Sequence, residues 1–277
     1  MEKRENDFWI DMDEITTMID DLKKENKSSS KNRWAPPTGT SVIRIVPYVQ
    51  NRKNPFVRMY FHWNIGKTAM LSPVTHGRPD PIDEASKKLF EKAREGGSKD
   101  DWKLAKKLEP KLRVYAPVII RGSEEQGVKW WGFGKEIFAE ILNVIKSGDY
   151  DDITHPIQGR DIKVERKTKE EAGNDYGKTT IRVLPKVSPI SSDKKLLKDI
   201  LTVQPDPNEL YPEPTYEDLR EALRRYLDPE AEVDDNIEST ETTISESEKI
   251  SETKGDPKVD SVIDQFDDVL NEIKSKS

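Results

Sequence analysis

Between Lys111 and Lys135 the chain reads K-L-R-V-Y-A-P-V-I-I-R, a turn, then G-V-K-W-W-G-F-G-K. Two alternating runs joined by so short a turn predict a pair of neighbouring strands. In the first, Lys111, Arg113 and Tyr115 share one face, and Leu112, Val114 and Ala116 share the other. In the second, Lys129, Trp131 and Phe133 oppose Val128 and Trp130. Cations interleaved with flat rings on one strand face suit single-stranded nucleic acid, because charges track phosphates and rings stack on unpaired bases. A core aromatic pair with solvated lysines is the competing reading, under which one of the two adjacent tryptophans is core. Alternation alone assigns that place to Trp130.

The pattern recurs at Phe56–Asn64, F-V-R-M-Y-F-H-W-N, which sets Arg58, Tyr60 and His62 against Val57, Met59, Phe61 and Trp63. Ser41–Val49 is a further alternating strand. Asp161–Lys167 and Thr179–Val187 read as a hairpin whose long tip presents Tyr176 and Lys178. Helices are expected over Glu84–Glu95, from the capping sequence at Ser98 to before Pro110, over Lys135–Lys146, Ser192–Leu201 and Thr215–Leu227. In the third of these, Phe138, Ile141, Leu142 and Ile145 form the apolar stripe and Gly148 the stop. The fold class is therefore mainly β with helical additions. A small barrel of the OB type, five strands with flanking helices, fits the irregular spacing of the strands.

The ends of the chain differ in composition. Residues 1–33 form an N-terminal arm, a helix followed by the basic connector Lys23–Arg33, and 34–227 form the core, with 72–110 as a helical insertion. Residues 228–257 are an acidic linker expected to be disordered, since so polar a run buries too little apolar surface to offset its ordering entropy. Residues 258–277 are an amphipathic helix. There Val259, Val262, Ile263, Phe266, Val269, Leu270 and Ile273 make a stripe suited to a partner's groove.

The net charge of −7 conceals this division. Residues 228–277 hold 16 Asp and Glu against 5 Lys, which leaves 41 basic and 37 acidic residues in 1–227. A mildly basic body with an acidic tail is an asymmetry associated with nucleic-acid binders. The absence of cysteine excludes thiolate chemistry and disulfides. No apolar run approaches membrane-spanning length, so a soluble, intracellular protein with no membrane partner is expected. There is no Walker-type loop or nucleophile elbow. The acidic cluster Asp80, Asp83 and Glu84 is better explained as helix capping than as a nuclease site, so no enzyme is expected.

P-F-V-R-M-Y-F-H (Pro55–His62), T-H-G (Thr75–Gly77), W-W-G-F-G-K-E-I-F (Trp130–Phe138) and I-K-V-E (Ile162–Glu165) follow one another in this order. In order and spacing they resemble the single-stranded DNA-binding, or helix-destabilising, proteins of T-even-type bacteriophages, over about Trp34 to Leu227. The resemblance implies an OB-fold core that holds single-stranded DNA without sequence choice. It implies a role in coating and protecting DNA during phage replication, recombination and repair in the cytoplasm of the infected bacterium. It also implies self-association through a basic N-terminal arm, and recruitment of phage replication and recombination proteins by the acidic tail. Carried over by residue, stacking rings fall on Trp131, on or beside Tyr115, and on Tyr176, with Tyr60 on the second basic face. Phosphate contacts fall to Arg58, Lys111, Arg113, Lys129, Lys135 and Lys178.

The family's structural zinc is held by three cysteines and a histidine. His62 matches the histidine, but residues 71–85 supply no cysteine. No cofactor is therefore expected, and His62 is expected at the surface beside Tyr60. The arm departs as well: Lys3-Arg4 is followed by Glu5, and the nearest similar composition is Lys27–Lys31. An adaptor acting mainly through its C-terminal helix and an RNA-binding OB protein are the alternatives.

Overall fold

A computed structural model of the chain describes residues 32–228. The expectations for the N-terminal arm, the acidic linker and the terminal helix, including its stripe from Val259 to Ile273, lie outside the described residues. Among those described there are eight strands: β1 (Arg33–Trp34), β2 (Gly39–Ile45), β3 (Val57–His62), β4 (Met70–Leu71), β5 (Lys111–Ile120), β6 (Lys129–Phe133), β7 (Arg160–Lys167) and β8 (Lys178–Val187). There are six α-helices: α1 (Pro81–Arg94), α2 (Lys99–Leu108), α3 (Lys135–Ser147), α4 (Lys169–Ala172), α5 (Lys194–Thr202) and α6 (Tyr216–Leu227). The chain is mainly β with helical additions, and it divides into two compact units. Of the described residues, the first takes 32–59 and 112–212, and the second takes 60–111 and 213–228. The second unit is thus larger than the insertion 72–110 expected from the sequence.

In the first unit the strand order is β1-β6-β5-β2-β7-β8. All pairings are antiparallel except that of β1 with β6. Alternation sends Ile43 and Ile45 of β2, Val114, Ala116 and Val118 of β5, Ile162 and Val164 of β7, and Ile181 and Val183 of β8 into one core. Helix α3 closes that core with Ile141, supported by Ile137, Phe138 and Val144. The helix ends at Gly148, whose φ of 76° places it in the left-handed conformation that favours glycine. The opposite faces of β2, β5 and β6 are covered as well: Val46, Ile119 and Val128 pack with Ile190 and Ile200 of the segment that leads into and forms α5.

The reading of β6 as a strand with one wet face is corrected: the face read as wet, with Trp131 and Phe133, turns into the inner core, and the covering segment closes the other. Trp131 is 1% exposed and Trp130 fully buried, so both tryptophans are core. Trp131 lies among the inner residues, edge-on to Trp34 at 5.8 Å and 4.6 Å from Phe133. On the other face, Trp130 meets Tyr48 edge-on at 5.2 Å and donates its indole N–H to the Pro205 carbonyl at 2.9 Å. Tyr115 is also buried. Its ring lies across Gly132, where a Cβ would stand 2.5 Å from a ring carbon, and its hydroxyl bonds to that of Tyr211 at 2.8 Å. Sequence alternation identifies which side chains share a face; it does not reveal that residues 203–211 return to cover that face.

The second unit packs Ile82 and Ala85 of α1, Leu108 of α2 and Leu219 and Leu223 of α6 around Ile65. Both ends of its helical hairpin are capped as the sequence implies. Asp80 accepts from the amides of Ile82 and Asp83, and Ser98 and Asp101 form a capping box. Trp63, which shares the apolar face of its strand with Val57, Met59 and Phe61 in the sequence pattern, is 42% exposed.

Candidate nucleic-acid interface

Each proposed contact residue has a definite environment. In the first unit Arg113 is half-buried and donates to the Gly132 carbonyl at 3.0 Å. Its neighbour Tyr115 offers no open ring face, and burial, with Tyr211 alongside, pushes its phenol well above the ordinary range. Tyr211 is half-buried, and the Arg33 guanidinium lies 4.8 Å from its centroid, a cation–π arrangement. Arg33 and Lys129 also line a pocket of about 580 Å³ together with Trp34, Ile120, Glu125 and Gln126. Two cations and an indole around one opening are groups that suit a nucleotide. Alternation within β5 and β6 could not find Arg33, Trp34 or Tyr211, because they arrive from β1 and from a segment 96 residues downstream.

Arg58 is exposed, 6.0 Å from the Phe138 ring centroid, and Lys135 is exposed at the first residue of α3. Tyr176, 91% exposed, is the most open large ring described. The turn that presents it is set by the left-handed Gly173 and by the Asn174 side chain, which accepts from the Tyr176 amide at 2.9 Å. Lys178 follows, exposed at the start of β8.

In the second unit Tyr60 is half-buried, and Lys111 bonds to the Glu109 carboxylate and the Lys106 carbonyl, both at 2.8 Å. A feature unremarked in the sequence is Trp102. It is 52% exposed on α2, edge-on to Phe90 at 6.3 Å, with Lys99 and Lys106 on its own helix face at i−3 and i+4.

His62 is not a surface residue; it is 1% exposed. Its Nδ1 lies 3.0 Å from the Leu108 carbonyl and its Nε2 2.8 Å from the Asp80 carboxylate. Both ring nitrogens are therefore engaged, one by a backbone carbonyl and one by a carboxylate. Asp80 accepts in addition from the Ser72 hydroxyl and two amides. Burial by itself raises the pKa of this carboxyl, but the hydrogen bonds and charge of His62, with Ser72 and the Asp83 amide, bring it below the ordinary carboxylate value. This donor set does not fit the zinc that the family resemblance implies. There is no cysteine, both imidazole nitrogens are engaged, and no group of three metal-ligating side chains occurs among the described residues.

No curated protein matches the chain. Residues 37–227, which hold both units' described cores, match the sequence profile of a family described as gp32 DNA binding protein like. The basic strands and the exposed rings thus lie on a chain that belongs to the gp32-like family of DNA-binding proteins.

Proposed function

We propose that the protein binds single-stranded DNA without sequence preference, and that β2, β5, β6, β7 and β8 are the five strands of an OB barrel. Their order, β6-β5-β2-β7-β8 with α3 between the third and fourth strands in sequence, is the observation that carries this reading. OB domains bind along the second and third strands and at the loop between the fourth and fifth. Here those positions hold the Arg33–Trp34–Lys129 pocket and the Tyr176 loop.

Arg58, Arg113, Lys129, Lys135 and Lys178 are the phosphate contacts of the first unit, with Arg33 added, and Tyr176 is its stacking ring. Trp102 and its flanking lysines supply the corresponding groups of the second unit, alongside Tyr60 and Lys111. Each neutralised phosphate adds about 0.7 to the logarithmic salt slope on a single strand. Stacking requires unpaired bases, so duplex does not satisfy these rings, and binding draws the melting equilibrium toward single strands by mass action. In this reading the protein coats phage DNA during replication, recombination and repair in the host cytoplasm, and self-associates along the strand. Its acidic tail recruits replication proteins, and its second unit is held without a metal.

Tyr176→Ala removes an exposed ring and leaves both cores untouched. It is expected to weaken oligo-dT binding by about 1–3 kcal/mol, roughly 5- to 150-fold in Kd, with no change in Tm. Equal affinity in wild type and variant would remove Tyr176 from the interface.

A further inference from the structure

The hairpin of β7 and β8 carries a second feature. Ile162, Val164, Ile181 and Val183 face the core, so Lys163, Glu165 and Lys167 of β7 and Lys178, Thr180 and Arg182 of β8 face outward. In the register of this pair Lys163 stands directly opposite Arg182, and Lys167 directly opposite Lys178. Arg182, Lys167 and Lys178 are exposed and Lys163 is half-buried. Like charges directly opposite each other destabilise a sheet. Among the described residues none of the four is in an ion pair; Glu165, on the same face between the two rungs, stands opposite Thr180, and Asp161 is engaged by Arg44, Arg121 and Ser188. On the other side β2 contributes only Thr40 and Val42, paired with Glu165 and Lys163.

We propose that this face is a second phosphate-binding track, on which a single strand held as described above continues along the hairpin from the Tyr176 tip. The inference rests on the single-stranded DNA reading. The two cationic rungs are four residues apart, about 13 Å along the strand, and the open Tyr176 ring lies at the end nearer Lys167 and Lys178. Two spaced pairs of cations with a ring at one end match a polynucleotide backbone with its bases. The repulsion tolerated in the free protein is relieved when phosphates lie between the rungs.

The test is the full-length double variant Lys163→Gln/Arg182→Gln, titrated with poly-dT over a range of salt and melted without DNA. The expected result is a salt slope lower by about 1.4, the share of two phosphate contacts, together with a Tm equal to or above that of wild type. Wild-type binding with an unchanged slope in the variant would overturn the track and leave the rest of the interface intact. Weakened competition by a peptide of residues 228–257, with the poly-dT slope unchanged, would assign the strip to the acidic tail and likewise overturn it. A wild-type protein that binds no single strand would overturn both this inference and the reading beneath it.

Discussion

Trp131→Ala is expected to lower stability by about 3–5 kcal/mol, the cost of emptying a large aromatic site in a packed core. Against a total of about 5–15 kcal/mol for a typical domain, that is enough to bring the first unit near its unfolding threshold at ambient temperature. The reason is position: the indole is 1% exposed, between Trp34 and Phe133, in the core that joins β2, β5, β7 and β8. A stacking role would give the opposite signature, near-normal stability with about 1–3 kcal/mol lost from binding. Urea unfolding followed by circular dichroism separates the two. A midpoint within error of wild type would contradict the core assignment.

Asp80→Ala is expected to cost the second unit a comparable amount, about 3–5 kcal/mol, because it breaks a fully buried pair and leaves His62 Nε2 and the Ser72 hydroxyl without their partner. The same substitution removes the cap of α1. The loss is a property of the pair. A His62→Leu/Asp80→Leu double variant should be destabilised by clearly less than the sum of its single variants, since it leaves neither member of the pair buried without the other. Thermal melts of the four proteins measure this coupling. If the network stands in place of a metal, dialysis against a chelator will not move the wild-type Tm. A chelator-dependent drop, or additive single-variant effects, would contradict that account.

Much of the local structure was legible in the sequence, since it depends on periodicity and punctuation. The Gly148 stop, the capping box at Ser98 and the β7–β8 hairpin lie where these signals put them, whereas of the stripe read as buried only Phe138 and Ile141 turn to the core and Leu142 and Ile145 are exposed. Which faces are wet was not legible. Lys111 to Tyr115 alternate as an exposed basic-aromatic strand should, yet Tyr115 is sealed by Tyr211 and Trp130 by Pro205, partners 96 and 75 residues away. Alternation is a local property and burial a tertiary one. His62 illustrates the same gap: on the strand pattern it sits with Arg58 and Tyr60, but Leu108 and Asp80 close around it. Tyr176, Lys178 and Arg58 lie exposed on protruding elements, as the local pattern implies. The neighbourhood of Arg33, Trp34 and Tyr211 is built by distant segments, which no local pattern reveals.

The most direct test of the central claim is the intrinsic tryptophan fluorescence of the full-length protein, titrated with oligo-dT across a salt series and in parallel with duplex of the same length. Trp102 and Trp63 are exposed enough to report contact, while Trp130 and Trp131 are shielded. The account predicts saturable quenching by the single strand, affinity that falls steeply with salt, and no response to duplex. Unchanged fluorescence at low salt, with no shift of the labelled oligonucleotide in a gel, would contradict it.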